Sequence, residues 1–166
     1  MKTAWQGRYI EVVVDGRWEY VKRARGISAA VILALTDRRE VVLVEQPRVP
    51  LGRRCIELPA GLVGDETAGE PAAASAEREL EEETGFRAAH WEELGEFASS
   101  PGMVGETFRL FRATGLTRVG EGGGVSEEDI VTHVVPLDEV GSFLQAKRKE
   151  GCAVDVKLLA VLGVAG

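Results

Sequence analysis

The chain has 166 residues, 45% hydrophobic and 28% charged, which suits one globular domain, or one domain with a small appendage. Its formal net charge of −7 argues against nucleic-acid binding, which runs on a basic surface. Two distant cysteines and two isolated histidines exclude a disulfide framework and a zinc site, and imply a reducing compartment, the cytoplasm.

Met1 to Ile10 is mixed polar and aromatic and lacks the apolar core of a secretory signal. Arg8 to Val14 and Arg17 to Arg23 are β-like runs about Asp15-Gly16, a strong hairpin signal. Such a hairpin is too small to be stable alone, so it packs on the rest of the chain or on a second subunit. Ile27 to Leu35 and Glu40 to Gln46 read as buried strands around a turn at Thr36 to Arg39. The longest apolar run, Ala29 to Leu35, falls far short of the ~20 residues that span a bilayer, so no membrane partner is expected. Cys55 to Leu58 is a short strand stopped by Pro59 and a turn at Gly61. Pro71 to Thr84 reads as a helix with Pro in its first turn and Gly85 as its stop. Strands follow near Glu92–Phe97, Thr107–Ala113 and Ile130–Val135, then helices near Asp138–Glu150 and Asp155–Leu162. The Gly-rich, acidic stretch Gly120 to Asp129 reads as a mobile loop. This irregular interleaving implies an α+β fold, a mixed sheet covered by helices.

The acidic excess is concentrated. Glu57 to Glu96 holds 12 acids and two arginines, a net of −10, while the remainder is slightly basic. Within it, Glu77-Arg78-Glu79-Leu80-Glu81-Glu82-Glu83 has five Glu in seven residues. On a helix, Glu79, Glu82 and Glu83 share one face, and Ala73, Ala76 and Leu80 lie on an adjoining face that can pack inward. Solvated acidic helices interleave Lys or Arg to relieve repulsion of roughly 0.2–0.5 kcal/mol per pair. Here only Arg78 is available, and the repulsion turns favourable once a divalent cation neutralises it. Oxygen ligands without His or Cys indicate Mg²⁺, with Mn²⁺ as a substitute.

Gly64, five residues, Glu70, seven residues, Arg78-Glu79-Leu80, one residue, Glu82-Glu83, one residue and Gly85-Phe86 match the Nudix box at every specified position. The chain thus resembles the Nudix hydrolases. Gln46-Pro47-Arg48, Ile56-Glu57-Leu58-Pro59-Ala60-Gly61, Ser100-Pro101-Gly102 and Ser126-Glu127-Glu128-Asp129-Ile130 are similar to segments of the ADP-ribose pyrophosphatases among them. The likeness covers about residues 27 to 162. It departs at two points: Gly61 stands nine residues before Glu70 instead of six, so the box starts at Gly61 or at Gly64, and Ser126 stands where related sequences often have Glu.

The resemblance implies a Nudix fold over residues 27–166, an α/β/α sandwich with a mixed sheet, after an N-terminal hairpin segment, residues 1–26, that belongs to a homodimer. It implies hydrolysis of ADP-ribose to AMP and ribose 5-phosphate. Another nucleoside diphosphate sugar such as GDP-mannose is the rival substrate, and a non-catalytic nucleotide sensor is the rival class. Glu79, Glu82, Glu83 and the Ala60 carbonyl would bind the metal, and Arg78 would orient Glu82 or Glu83. Glu128, or else Glu127, would be the general base. Arg48 and Arg54, near the box, would meet phosphate or ribose or else form ordinary strand-edge salt bridges, Glu57 would meet a metal or an Arg, and Glu106 the terminal ribose. Of Trp5, Trp18 and Tyr9 in the hairpin, one would stack on the adenine, or, as hairpin aromatics more often do, they would serve the core or an interface. His133, Cys55 and Cys152 are expected to be structural.

Overall fold

The computed structural model describes residues 1–24, 27–64, 69–125, 128–160 and 163. It opens with a three-stranded antiparallel sheet of β1 (Lys2–Gln6), β2 (Ile10–Asp15) and β3 (Trp18–Arg23). The hairpin forms where its turn signal stands. Asp15 pairs with Trp18, and Gly16 has the φ of +60° that a two-residue hairpin loop requires. The strand β1 is a surprise: all five residues are exposed, so it has no apolar alternation to betray it, and it exists by pairing with β2. This sheet buries only Val13 fully, and it docks through β3, where Val21 exchanges backbone hydrogen bonds with Met103 and Gly105.

The chain then forms β4 (Ser28–Ala34), β5 (Glu40–Arg48), β6 (Arg53–Glu57), β7 (Ala60–Val63), α1 (Ala72–Thr84), β8 (Phe86–Ala98) and β9 (Thr107–Arg118). It ends with β10 (Val131–Pro136), α2 (Val140–Lys149) and β11 (Ala153–Val154). The mixed character is realised in two four-stranded sheets, β7-β4-β9-β8 with β4 and β9 parallel, and β10-β5-β6-β11 with β6 and β11 parallel. Alternation along β4 explains the layering. Val31 and Leu33 face the second sheet and α2, meeting Leu43, Ile56 and Leu58. Ala30, Ile32 and Ala34 face α1, meeting Ala76 and Leu80. Both faces are therefore buried, which is why β4 reads as a continuous apolar run.

Three expectations change. Gly61 is not a turn: the chain crosses from one sheet to the other at Leu58-Pro59, and Ala60-Gly61 begin β7 against β4. The strands β8 and β9 are about twice as long as their apolar signal, because exposed residues continue the ladder. The last helix is a 3₁₀ turn at Val156–Leu159, its backbone capped by the Asp155 carboxylate; residues 161 and 162 lie outside the described residues. No helix among the described residues is long and apolar enough to cross a membrane.

Candidate active site

The helix α1 begins after Pro71 and stops at Gly85, whose φ of +71° lets its N–H bond back to the Glu81 carbonyl. Its inner face is seated on β7 by Ala76, Leu80 and Ser75, whose Oγ donates to the Leu62 carbonyl at 2.9 Å. That seating presses Glu79 and Glu83 against the Ala60-Gly61 backbone. Glu83 is only 5% exposed, and its Oε2 accepts the Ala60 N–H at 3.0 Å. A Cβ built on Gly61 would fall 2.1 Å from Cγ and Cδ of Glu79, so the strand must be glycine there for the carboxylate to fit.

Arg78 donates to Glu79 Oε1 at 3.0 Å and to Glu82 Oε2 at 3.1 Å, and approaches Glu70 at 3.8 Å. It therefore steers Glu79 and Glu82. Glu83 takes the strand N–H. The three-carboxylate face is correspondingly split: Glu79 and Glu83 converge on the strand while Glu82 is turned to Arg78. Among the described residues no three acidic, His or Cys side chains stand together closely enough to hold a metal as they lie.

The pair at the strand is short of positive charge. Burial, only partly opposed by Arg78, pushes the Glu79 carboxyl up to about 7, with Glu82 and Glu128 adding repulsion. Burial pushes Glu83 up to about 8 against the pull of the Ala60 N–H, with Glu79 and Glu128 adding repulsion. In the unfolded chain both would titrate near 4.5, so between there and about pH 8 the metal-free folded state binds more protons, and its stability falls as pH rises. Melting of EDTA-treated protein is thus expected at a lower temperature at about pH 8 than at about pH 6, with Mg²⁺ restoring more at the higher pH. A melting temperature that climbs with pH in EDTA would contradict this picture of the pair.

Where it is described, the glycine-rich segment is docked on the end of α1. Gly123 and Gly124 donate their N–H groups to the Glu83 and Glu82 carbonyls, both at 2.9 Å, and Val119 and Gly120 donate to the Gly85 carbonyl. These bonds satisfy helix-end carbonyls that α1 itself leaves without partners. Beyond them Glu128 accepts the Val125 N–H at 3.1 Å, lying so close to Gly124 that a Cβ there would meet its Oε2 at 2.5 Å. Its charge is felt by both Glu79 and Glu83. Ser126 and Glu127 lie outside the described residues.

On the other side of Ala60 and Gly61 opens a cavity of about 280 Å³, lined also by Arg48, Glu57, Glu106 and Phe108. Arg48 grips Glu57 through two hydrogen bonds of 2.6 and 2.7 Å, Glu57 being 3% exposed. Glu106 is paired with Arg23 at 2.7 Å. Arg23 and Lys157 line the cavity too and went unnoticed in the sequence; one ends a hairpin strand and the other lies in a short 3₁₀ turn, and neither belongs to a motif.

Three expected substrate contacts are placed elsewhere. Arg54 does not line this cavity; its guanidinium is spent on Glu45 and Asp129. Trp5 folds over Gly7, and Trp18 lines a separate cavity with Tyr20 and Pro101, both rings remaining 55% exposed. The hairpin's attachment through Val21 sets them there. His133 bonds Glu45 at 2.9 Å, and Cys55 and Cys152 are buried thiols, as a structural role requires.

Residues 25–159 match the family model for the NUDIX domain. The chain is 34% identical over 151 residues to the methanol dehydrogenase activator of Bacillus methanolicus, spanning 87% of this chain and 80% of that protein. It is 41% identical over 105 residues to the ADP-ribose pyrophosphatase of Mycobacterium tuberculosis, which covers 63% of this chain but only half of that enzyme. The crystal structure of an ADP compounds hydrolase shares the fold with a TM-score of 0.67 at 21% identity, over 87% of this chain and 80% of its own. With the box residues gathered on α1 and the strand that supports them, the chain belongs to the Nudix family and is built on that family's α+β sandwich.

Proposed function

We propose that this chain is a Mg²⁺-dependent pyrophosphatase that hydrolyses ADP-ribose to AMP and ribose 5-phosphate. The observation that carries the reading is the convergence of Glu79 and Glu83 beside the Ala60-Gly61 strand, at the rim of the Arg48–Glu57 cavity, with the charge of Glu128 acting on both. A hard cation fits this place: every donor is oxygen, the buried Glu83 and half-buried Glu79 lack enough counter-charge, and glycine at 61 lets the Glu79 carboxylate lie against the strand. Glu79, Glu83 and the Ala60 carbonyl would hold Mg²⁺ or Mn²⁺, joined by Glu82 on leaving Arg78. When bound, the cation supplies positive charge to the pyrophosphate oxygens and lowers the pKa of water.

The chain's own residues do the rest. Glu128 takes the proton of the attacking water as its oxygen bonds to phosphorus and the bridging P–O bond breaks, leaving two phosphomonoesters. Arg78 keeps Glu79 in place, and holds Glu82 until that carboxylate joins the cation. Arg48, oriented by Glu57, meets a phosphate oxygen, and Glu106 with Arg23 meets the hydroxyls of the terminal ribose. Exposed Trp5, Tyr9, Ile10 and Trp18 support a homodimer packed through residues 1–26, with 27–166 as the hydrolase domain. Two buried free thiols suit the cytoplasm.

The test is a comparison of ADP-ribose with GDP-mannose at equal Mg²⁺. ADP-ribose should have the higher kcat/KM, by about tenfold or more, since one or two lost hydrogen bonds to a purine edge cost that much. AMP and ribose 5-phosphate should be its only products. Equal or faster turnover of GDP-mannose would move the assignment to that sugar nucleotide.

A further inference from the structure

Arg54 occupies a junction that the hydrolytic chemistry does not account for. From β6 its Nε donates to Glu45 Oε1 at 2.8 Å and its Nη2 to the Glu45 carbonyl at 2.9 Å. The other side of the same planar group holds Asp129, through the carboxylate and through the backbone carbonyl at 2.8 Å. Glu45 is itself nearly buried, and it is fixed independently by Lys147 of α2 at 3.0 Å and His133 of β10 at 2.9 Å. The guanidinium therefore joins a rigid node of the sheet to a residue that is 70% exposed at its side chain and has no other ion pair among the described residues.

Asp129 directly follows Glu128. The Gly123 and Gly124 amides pin the near side of this segment to the end of α1, and Arg54 grips its far side. We infer that Arg54 is a positioning residue, which by holding the Asp129 carbonyl and carboxylate to Glu45 keeps the Glu128 carboxylate in place against the Gly124-Val125 backbone at the end of α1. The assignment rests on the reading of Glu128 as the general base. A lysine cannot replace it: one ammonium lacks the two-sided fork that bonds Glu45 and Asp129 at once. Because Glu45 keeps Lys147 and His133, loss of Arg54 leaves the node a counter-charge and the fold intact.

The experiment measures kcat and KM for ADP-ribose at saturating Mg²⁺ in the full-length Arg54→Ala, Arg54→Lys, Glu128→Gln and Arg54→Ala/Glu128→Gln proteins, with amide hydrogen exchange over residues 128–132. Arg54→Ala should lower kcat by about 10- to 100-fold, as ångström-scale misplacement of a reacting group does, with KM changed less than about threefold. Arg54→Lys should not restore it. In the double variant the Arg54 change should add little to the loss from Glu128→Gln, since a misplaced base and an absent one fail alike. Exchange over 128–132 should quicken in Arg54→Ala. A raised KM at unchanged kcat would make Arg54 a substrate contact and overturn the inference, as would additive losses or unchanged exchange. Normal kcat in Glu128→Gln would instead overturn the base assignment, and the exchange result would then decide the tether alone.

Discussion

Glu83→Gln is expected to lower turnover of ADP-ribose by about 10³-fold, roughly 4 kcal/mol of transition-state stabilisation, the scale a lost cation ligand commands. The same change should leave the metal-free fold as stable as before, or more so at about pH 8. Gln keeps the shape of the side chain and an oxygen for the Ala60 N–H, while removing a charge that burial already disfavours. The opposite signs are diagnostic. A structural carboxylate would lose stability with its charge; a carboxylate kept for a cation loses only function. Steady-state kinetics with Mg²⁺ and thermal melting in EDTA read the two effects separately, and near-normal turnover would sink the cation assignment.

Gly122→Ala should harm both stability and catalysis. Its φ is +74°, and a Cβ would lie 2.5 Å from the Thr84 carbonyl carbon, 2.7 Å from the Gly85 nitrogen and 2.8 Å from the Glu83 oxygen, all of them backbone. None can yield without parting the loop from the end of α1. The loss would include the Gly123 and Gly124 hydrogen bonds, about 1 kcal/mol each, besides about 1 kcal/mol or more of backbone strain. A fall of about 5–10 °C in melting temperature is expected for a chain of this size, with turnover down by about tenfold or more as Glu128 loses its support. Gly52→Ala is the comparison: its φ is +62° but nothing lies within 4 Å, so only the strain remains. Equal effects of the two substitutions would show that the docked loop has no special role.

The helix and its carboxylates were legible because their signals are local. Pro71, the alanines, Leu80 and Gly85 specify α1 whatever surrounds it, and i,i+4 spacing places Glu79 with Glu83 before any tertiary structure is known. What stayed hidden is set by partners distant in sequence. Gly61 reads as a turn until β4 is seen beside it, because a glycine that makes room for Glu79 and one that bends the chain look alike. Arg54 stands near the box and reads equally as a substrate contact or a strand-edge salt bridge; its neighbours, Glu45 and Asp129, are fixed by the pairing of β5 with β6 and the return of the loop before β10. The strand β1 carries no buried residue and so no pattern at all.

The acidic window of −10 acquires a physical meaning from this arrangement. Part of it is ordinary: Glu81 pairs with Arg87, and Glu82 and Glu79 share Arg78. Glu79 and Glu83 differ in that burial leaves both undercompensated, at the edge of a cavity lined by arginines. A cation bridging the two would satisfy both the carboxylates and an incoming pyrophosphate.

The most direct measurement follows ADP-ribose by phosphorus NMR with the purified full chain, first in EDTA and then after Mg²⁺ is added in excess. The account predicts no change in the diphosphate signals in EDTA, and on addition of Mg²⁺ their replacement by two phosphomonoester signals, those of AMP and ribose 5-phosphate. Hydrolysis at the same rate in EDTA, or an intact diphosphate after Mg²⁺, would contradict it.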